Sequence, residues 1–155
     1  MLRETFIVFA ALLVLASATQ VSKCNNGGTS VGADQVEISG CDNPPCKLKR
    51  KTEISIEQKF VPDRDVNQVT TSVQANILGV PLPFIGVDGT SACDNIYNVD
   101  GSKPGCSLKN GVEYVYKNSF PVLQVYPTVS MVIHYALRDA AGDIACFEVP
   151  AKITN

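Results

Sequence analysis

Six cysteines are the side chains of this sequence that are best suited to covalent chemistry. Their number is even, and they stand at Cys24, Cys41, Cys46, Cys93, Cys106 and Cys146. In an exported protein an even set of cysteines is expected to be oxidised, because the secretory pathway and the extracellular space favour disulfides. The cysteines therefore predict a small disulfide-stabilised domain in which no thiol is left to act as a nucleophile or a metal ligand.

The loops between the cysteines favour one way of pairing them. The Cys41–Cys46 pair encloses Asp-Asn-Pro-Pro, and the Cys93–Cys106 pair encloses a loop rich in Gly, Ser and Pro. Both loops can turn tightly enough to bring two Cβ atoms within bonding range. The remaining Cys24–Cys146 bridge would tie the N-terminal segment to the last strand, and such a long-range bridge contributes about 4–5 kcal/mol in the chain-entropy description.

The other reactive or charged residues do not assemble a catalytic motif. His134 is the only histidine, and a catalytic base would need a nucleophile and an orienting partner that the sequence does not indicate. Strand alternation places it on an outer face, where it would be structural or would give a modest pH response. The one basic run, residues 47–51, is either a solvated strand end or a docking patch for anionic lipid. We predict no enzyme activity, no catalytic residue, no metal site and no cofactor.

Residues 1–18 have the organisation of a cleavable secretion signal. Arg3 provides a positive start, Phe6–Leu15 is uninterrupted and apolar, and residues 16–18 (Ala-Ser-Ala) form a small-x-small cleavage site. The apolar run is too short to span a bilayer, which needs roughly 20 residues. We therefore expect a mature chain that starts at Thr19 and enters the extracellular space, with the lysosomal lumen as a second compartment.

Residues 19–155 are sufficient for a single domain with a substantial core. The formal net charge is −2, and a mildly acidic, mixed surface argues against a nucleic acid partner. The sequence has no Asn-x-Ser/Thr acceptor for an N-glycan, which favours the extracellular space over the lysosome. We expect a soluble monomer.

The dominant period of the sequence is two, which predicts strands rather than helices. Alternation is found at residues 54–60, 73–77, 112–116 and 129–137, with shorter candidates at 36–38 and 146–149. Clusters of Gly, Asn, Asp and Pro separate these segments, as expected for turns. The pattern predicts an all-β fold, a sandwich of two antiparallel sheets.

The same alternation assigns one face of each strand to the interior. The expected inward side chains are Ile54, Ile56, Phe60, Val73, Ala75, Ile77, Val112, Tyr114, Tyr116, Met131, Ile133 and Tyr135. They pack as an ordinary core, or they line a cavity if they do not fill the space between the sheets. None of them is charged, which favours a neutral ligand or an amphiphile whose head group stays at the mouth.

Two apolar segments are interrupted by proline and do not read as central strands. Residues 79–86 and residues 120–127 each carry two prolines. Proline has no N–H to donate to a ladder, so these segments belong at a sheet edge or in extended connections. They are either packed connections or the mouth of an apolar cavity. Leu82 and Phe84 face the same way if the first segment is extended.

Six short motifs follow one another along the mature chain. They are Gly40-Cys41-x4-Cys46-x-Leu48, Gly79-Val-Pro81-x-Pro83-Phe84, Cys93…Cys106, Tyr114-x-Tyr116, Pro121-Val122-x3-Tyr126-Pro127 and Cys146-Phe-Glu-Val-Pro150. This ordered set resembles the ML lipid-recognition domain family, and most closely its soluble Niemann-Pick type C-two branch in an arthropod-like form. The cysteine pairing of that family is the one that the loops favour. The Cys93–Cys106 loop looks longer than in the vertebrate members.

The resemblance implies an immunoglobulin-like sandwich that holds an apolar ligand between splayed sheets. The sterol-contacting phenylalanine of the family falls on Phe84, its valine on Val122 and its tyrosine on Tyr126. A tryptophan of that pocket falls on Tyr135, and this chain has no tryptophan. The smaller ring would enlarge or reshape the cavity.

The sequence thus predicts a secreted protein that binds and transfers lipid. The candidate lipid-binding residues are Phe84, Val122, Tyr126, Tyr135, Leu82, Ile54, Ile56, Phe60, Ile77, Tyr114, Tyr116, Met131 and Ile133. The expected ligand is a sterol, a fatty acid or a similar hydrophobic molecule, and the expected partners are a membrane surface or a receptor met transiently. The alternative is an innate-immune protein that recognises glycolipid or assists a receptor.

Overall fold

The computed structural model describes residues 18–24 and 35–155. Residues 1–17 of the predicted signal lie outside the described residues. The described chain forms these strands: β1 (Ser22–Lys23), β2 (Val36–Ile38), β3 (Cys46–Lys49), β4 (Glu53–Phe60), β5 (Thr70–Ile77), β6 (Val80–Pro83), β7 (Ile96–Asn98), β8 (Tyr114–Pro121), β9 (Ser130–Asp139) and β10 (Gly142–Thr154). A single turn of 3-10 helix covers Cys93–Asn95. No described helix has the length and apolar character needed to cross a membrane.

The strands form two sheets, which confirms the predicted all-β sandwich. The six-stranded sheet has the order β1-β10-β9-β5-β6, with β3 paired to the far half of β10, and the four-stranded sheet has the order β2-β4-β8-β7. Pairing is antiparallel except between β3 and β10, where Cys46 to Lys49 run parallel to Ala151 to Thr154. A parallel pair needs a long connection, which the intervening strands supply.

The alternation of each strand places its apolar side chains in one continuous core. β4 alternates between exposed and buried positions from Glu53 to Phe60, and the inner positions of β5, β8 and β9 follow the same rule. The prediction for Val112 is wrong. Its side chain is exposed, because β8 begins only at Tyr114 and the preceding residues form a turn.

The hairpin between β5 and β6 forms one edge of the six-stranded sheet. Leu78 and Gly79 connect the two strands, and both have positive φ, 51° and 83°. This two-residue turn matches the twist of the strands, and Asn-Gly is its preferred sequence. β6 carries Pro81 and Pro83, and among the described strands it pairs with β5 alone. The predicted edge position of this proline-containing segment is therefore confirmed.

Three disulfides join the cysteines as the loops favoured. The Cα–Cα distances are 5.8 Å for Cys24–Cys146, 5.2 Å for Cys41–Cys46 and 4.8 Å for Cys93–Cys106. All six cysteines are paired. The first of these bridges attaches the segment after β1 to β10, so that both ends of the described chain are fixed to the six-stranded sheet.

Candidate functional site

Three aromatic rings meet where the edge strand β6 approaches the end of β8. The Phe84 ring centroid lies 5.8 Å from that of Phe120 and 5.5 Å from that of Tyr126, and both contacts are edge-to-face. Phe84 is held by a backbone hydrogen bond to Val73, 2.9 Å long, that continues the β5–β6 ladder. The two proline-interrupted segments thus come together here, as the cavity-mouth interpretation requires. We call these three rings the aromatic gate.

The candidate residues from both sheets lie together between the sheets. Those that are buried are Ile54, Ile56, Phe60, Phe84, Tyr114, Tyr116, Val122, Met131, Ile133 and Tyr135. Ile77 and Tyr126 are half-buried and pack against the same core. Burial raises the pKa of the Tyr126 hydroxyl, and the Ile85 backbone beside it opposes this effect. Leu82 differs from the rest, since its side chain is exposed on the edge strand.

Leu82 belongs to a set of exposed apolar side chains on the edge hairpin and the adjoining loops. The set, which we call the apolar rim, comprises Leu78, Val80, Leu82, Ile85 and Val125. Leu78 is 100% exposed in the turn of the hairpin. A bulky side chain with positive φ carries a conformational cost. The stability of the turn therefore does not explain why a leucine is found at this position.

Arg50 holds the loop that carries one wall of the gate. Its Nη1 donates to the backbone oxygens of Gln124 and Tyr126, each at 3.3 Å, and its Nη2 donates to the side-chain oxygen of Asn155. The adjoining Lys51 and Val122 are joined by a backbone hydrogen bond of 2.8 Å. Part of the basic run is thus structural. This role could not be predicted from the sequence, because spacing alone does not indicate which carbonyls a guanidinium will contact.

Polar groups occur in the deeper layer of the interior. The Tyr116 hydroxyl lies 2.7 Å from the Tyr135 hydroxyl across the two sheets, and Asn118 Nδ2 donates to Tyr116 at 2.9 Å. Burial raises the pKa of both tyrosines, so both phenols stay neutral. Gln58 is opposite Tyr116 in the β4–β8 register and is fully buried. Gln58 was not among the predicted site residues, although it alternates in phase with Ile56 on the inner face of β4.

His134 lies on the outer face of β9, as predicted, but it is half-buried. Its Nδ1 is 3.1 Å from Oε1 of Glu148, and its Nε2 is 3.4 Å from Sγ of Cys146. His134, Cys24 and Cys146 approach one another within 4.8 Å. Both sulfurs are engaged in the disulfide, so they offer no thiolate to a metal. A polar hollow of about 210 Å³ beside this histidine is separate from the interior.

Comparison with known proteins identifies relatives along the whole chain. The ML-domain family model matches residues 18–153. The chain is 37% identical to "NPC intracellular cholesterol transporter 2 homolog a" of Drosophila melanogaster, with 99% of each chain covered. It is 32% identical to the ecdysteroid-regulated 16 kDa protein of Manduca sexta, over 96% of this chain and 97% of that one. The crystal structure of a Niemann-Pick type C2 protein from the Japanese carpenter ant superimposes with a TM-score of 0.72 at 31% identity, covering 86% of this chain and 98% of the ant chain.

Proposed function

The chain belongs to the ML-domain family, and we propose that it is a secreted carrier that binds one lipid molecule between its sheets and transfers it to an acceptor. The observation that carries this proposal is that Phe84, Val122 and Tyr135 belong to one apolar core formed by residues of both sheets, with Tyr126 packed against that core. Relatives over the full length are named as cholesterol transporters. The ligand is a sterol, a fatty acid or a hydrophobic molecule of similar size.

The interior provides the driving force for binding a hydrocarbon. Each buried methylene contributes about 0.8 kcal/mol, so a lipid with more than ten methylenes gains about 10 kcal/mol before costs. Lost rigid-body freedom and chain ordering remove several kcal/mol of this gain. Among the described residues the buried polar side chains are Thr19, Gln58 and Thr71, and none of these is charged. An uncharged interior suits a neutral guest or an amphiphile whose head group remains outside.

The aromatic gate is the proposed entrance. The Phe84 ring contacts the rings of Phe120 and Tyr126 where β6 approaches the end of β8. Because the candidate residues of both sheets pack against one another, a guest must part these rings and spread the sheets. The Arg50 contacts to the loop of Tyr126 limit how far that loop can move. Binding therefore includes the cost of opening the gate.

The apolar rim is the proposed contact with a donor or acceptor membrane. Leu78 at the hairpin turn is fully exposed, and Leu82, Ile85 and Val125 are also exposed. Ile85 and Val125 adjoin the gate residues Phe84 and Tyr126 in the chain, and exposed apolar side chains beside a lipid entrance shorten the path of the guest through water. The exposed lysines of the basic run add attraction to anionic lipid of about 1 kcal/mol each near the surface. A receptor would meet the same surface. The carrier acts as a monomer.

We propose that the signal is cleaved after Ala18, so that Thr19 stays in the mature domain. Thr19 packs against β2: its backbone nitrogen donates to the Val36 carbonyl at 2.8 Å, and its hydroxyl bonds with the backbone of Ile38 and Cys41. The mature chain enters the extracellular space or the lysosomal lumen. A catalytic role and the glycolipid-recognition alternative are not favoured, because the relatives are named as cholesterol transporters.

Equilibrium binding tests the proposal. Delipidated protein is titrated with a fluorescent sterol and, separately, with a fluorescent fatty acid. We expect saturable binding of at least one probe and release of that probe by unlabelled lipid. Absence of saturable binding for both probes would contradict the proposed function. Mass spectrometry of lipid that co-purifies from the native source then identifies the physiological ligand.

A further inference from the structure

Gln58 is a buried polar side chain without a partner. Its position in β4 places it on the inner face with Ile56 and Phe60, and 0% of its surface is exposed. Neither Oε1 nor Nε2 has a hydrogen-bond partner among the described residues. The other buried polar side chains among the described residues, Thr19 and Thr71, are both hydrogen-bonded. An unpaired buried amide is costly, and leucine or methionine would fill this position without that cost.

A further unused donor lies in the same layer. Tyr116 and Tyr135 have two hydroxyl hydrogens between them, and their mutual contact uses one. Asn118 donates to Tyr116, so it uses an acceptor site and no hydrogen. Whichever tyrosine donates to the other, one O–H has no partner among the described residues. Three hydrogen-bonding groups in this layer are therefore free to bind a guest: one tyrosine hydroxyl hydrogen, the Nε2 donor of Gln58 and the Oε1 acceptor of Gln58.

This layer lies well inside the aromatic gate. Tyr116 is four residues from Phe120 along β8, which corresponds to about 13 Å. Tyr135 is on β9 and Phe84 is two strands away at the same level, about 10 Å across the sheet. This separation is shorter than the long axis of a sterol or of an extended long acyl chain, so the inner end of such a guest can reach this layer. A guest that enters through the gate would bring its inner end to Gln58.

The groups in this layer are all uncharged. Burial keeps both phenols protonated by raising their pKa. No buried side chain of the described chain carries a charge. A carboxylate here would lack a counter-ion and would lose its hydration. A hydroxyl or a carbonyl can exchange its water hydrogen bonds for those of the amide and the phenol. A fatty acid would therefore leave its carboxylate at the mouth.

We infer that Gln58, Tyr116 and Tyr135 form an inner polar site that hydrogen-bonds a neutral hydroxyl or carbonyl at the inner end of the carried lipid. This inference rests on the proposed carrier function and specifies the class of lipid. The apolar walls supply affinity, and the inner polar site distinguishes an oxygenated lipid from a plain hydrocarbon of the same shape. Such discrimination is effective, because an unsuitable guest leaves buried polar groups unpaired.

Matched ligands and the Gln58→Met substitution test the inference. Methionine has a similar length and shape but lacks the amide. The ligands are 1-hexadecanol with hexadecane, and cholesterol with 5α-cholestane, each measured by displacement of a fluorescent probe. In at least one pair we expect the ratio of hydrocarbon Kd to alcohol Kd to fall roughly tenfold in the variant, with hydrocarbon affinity retained. Palmitate affinity should not change. Gln74→Met, on the outer face of β5, should leave every ratio unchanged.

The outcomes separate this inference from the proposed function. If the ratios are the same in Gln58→Met and the wild type, Gln58 does not recognise the guest, and the inference is wrong while the carrier function stands. If the wild type binds none of the ligands, the carrier function itself is wrong. A second measurement uses the wild-type protein, so that its result does not depend on whether the variant folds. The NMR signal of the Gln58 side-chain amide should shift when 1-hexadecanol binds and should not shift when hexadecane binds. Identical shifts with both ligands would overturn the inference.

Discussion

The hydroxyl groups of Tyr116 and Tyr135 lie 2.7 Å apart and join the two sheets through a direct side-chain hydrogen bond. Tyr116 belongs to the four-stranded sheet and Tyr135 to the six-stranded sheet. Tyr135 also stacks on Phe147, with the rings within 2° of parallel. The contact lies where a guest would separate the sheets. The bond therefore resists the opening that binding requires, and its strength can be measured.

The first prediction concerns the coupling of these two tyrosines. Tyr135→Phe should lower the free energy of unfolding by about 1 kcal/mol, because it removes one buried hydrogen bond and leaves ring packing in place. Tyr116→Phe should cost more, since it also removes the acceptor for Asn118. Denaturant unfolding of both single variants and the double variant gives the coupling energy. Strict additivity would show that the two hydroxyls do not interact.

Alkaline stability provides a second prediction. Burial raises the pKa of Tyr116 and Tyr135 in the folded chain, above the value of about 10 in the unfolded chain. A raised folded pKa gives stability that is complete below the unfolded pKa and is lost as the pH rises above it. The free energy of unfolding should therefore fall above about pH 10. The fall should be shallower in Tyr135→Phe, and an equal slope in both proteins would contradict this assignment.

Phe84→Ala tests the aromatic gate. Losing the ring contacts with Phe120 and Tyr126 should cost about 3–5 kcal/mol of stability and should weaken binding of the fluorescent sterol. Leu108→Ala is the matched control, because Leu108 is buried against the loop of Val66 rather than at the gate. Binding is measured only on protein shown to be folded by circular dichroism. Equal losses of affinity in the two variants would indicate a general effect of instability.

Leu78→Asn should separate stability from transfer. Asparagine tolerates positive φ in a two-residue hairpin turn, so the substitution should stabilise the fold by roughly 1 kcal/mol. Transfer of a fluorescent sterol to vesicles should nevertheless become slower, since the apolar rim loses its most exposed member. Val99→Asn changes another exposed apolar residue on the loop after β7 and should leave the rate unchanged. Unchanged transfer in Leu78→Asn would exclude the rim as the docking contact.

Arg50→Lys tests whether the loop of the gate must be held. A lysine cannot direct two planar N–H groups at the carbonyls of Gln124 and Tyr126. Because the loop is then freer to move, opening the gate costs less, and we expect ligand affinity to rise roughly fivefold, in the range of one lost hydrogen bond. Lys49→Ala is the control, since Lys49 is an exposed residue of the same basic run. A similar rise in Lys49→Ala would mean that the run acts through its charge instead.

The strands and the disulfides could be predicted because each depends on local information. Alternation along Ile54 to Phe60 determines which side chains face the interior, and β4 follows it from end to end. Val112 shows the limit of this reasoning. It continues the alternation of β8, but the turn before Tyr114 removes it from the sheet. The parallel pairing of β3 with β10 could not be predicted from local sequence either, since it joins segments about a hundred residues apart in the chain.

The apolar residues of the candidate site could be predicted from the sequence, but its polar residues could not. Phe84 and Tyr126 carry motif positions, and the structure brings them into contact. Gln58 has the right phase to face inward, but it was not selected, because the inward candidates were chosen for being apolar. Its missing partner can be recognised only from coordinates. Arg50 lies in a run of charges that looks solvated, and its carbonyl partners come from a loop more than seventy residues away.

The prolines of β6 have a consequence for how this protein behaves at high concentration. Phe84 directs its N–H toward β5, so by alternation the nitrogens of Pro81 and Pro83 face away from the sheet. At those two positions the outer border offers no donor to a strand from another molecule. Edge-to-edge pairing with a second copy is thereby disfavoured at the border that also bears the exposed apolar side chains Val80 and Leu82. The two prolines thus let this edge carry an apolar surface without also presenting a template for strand addition.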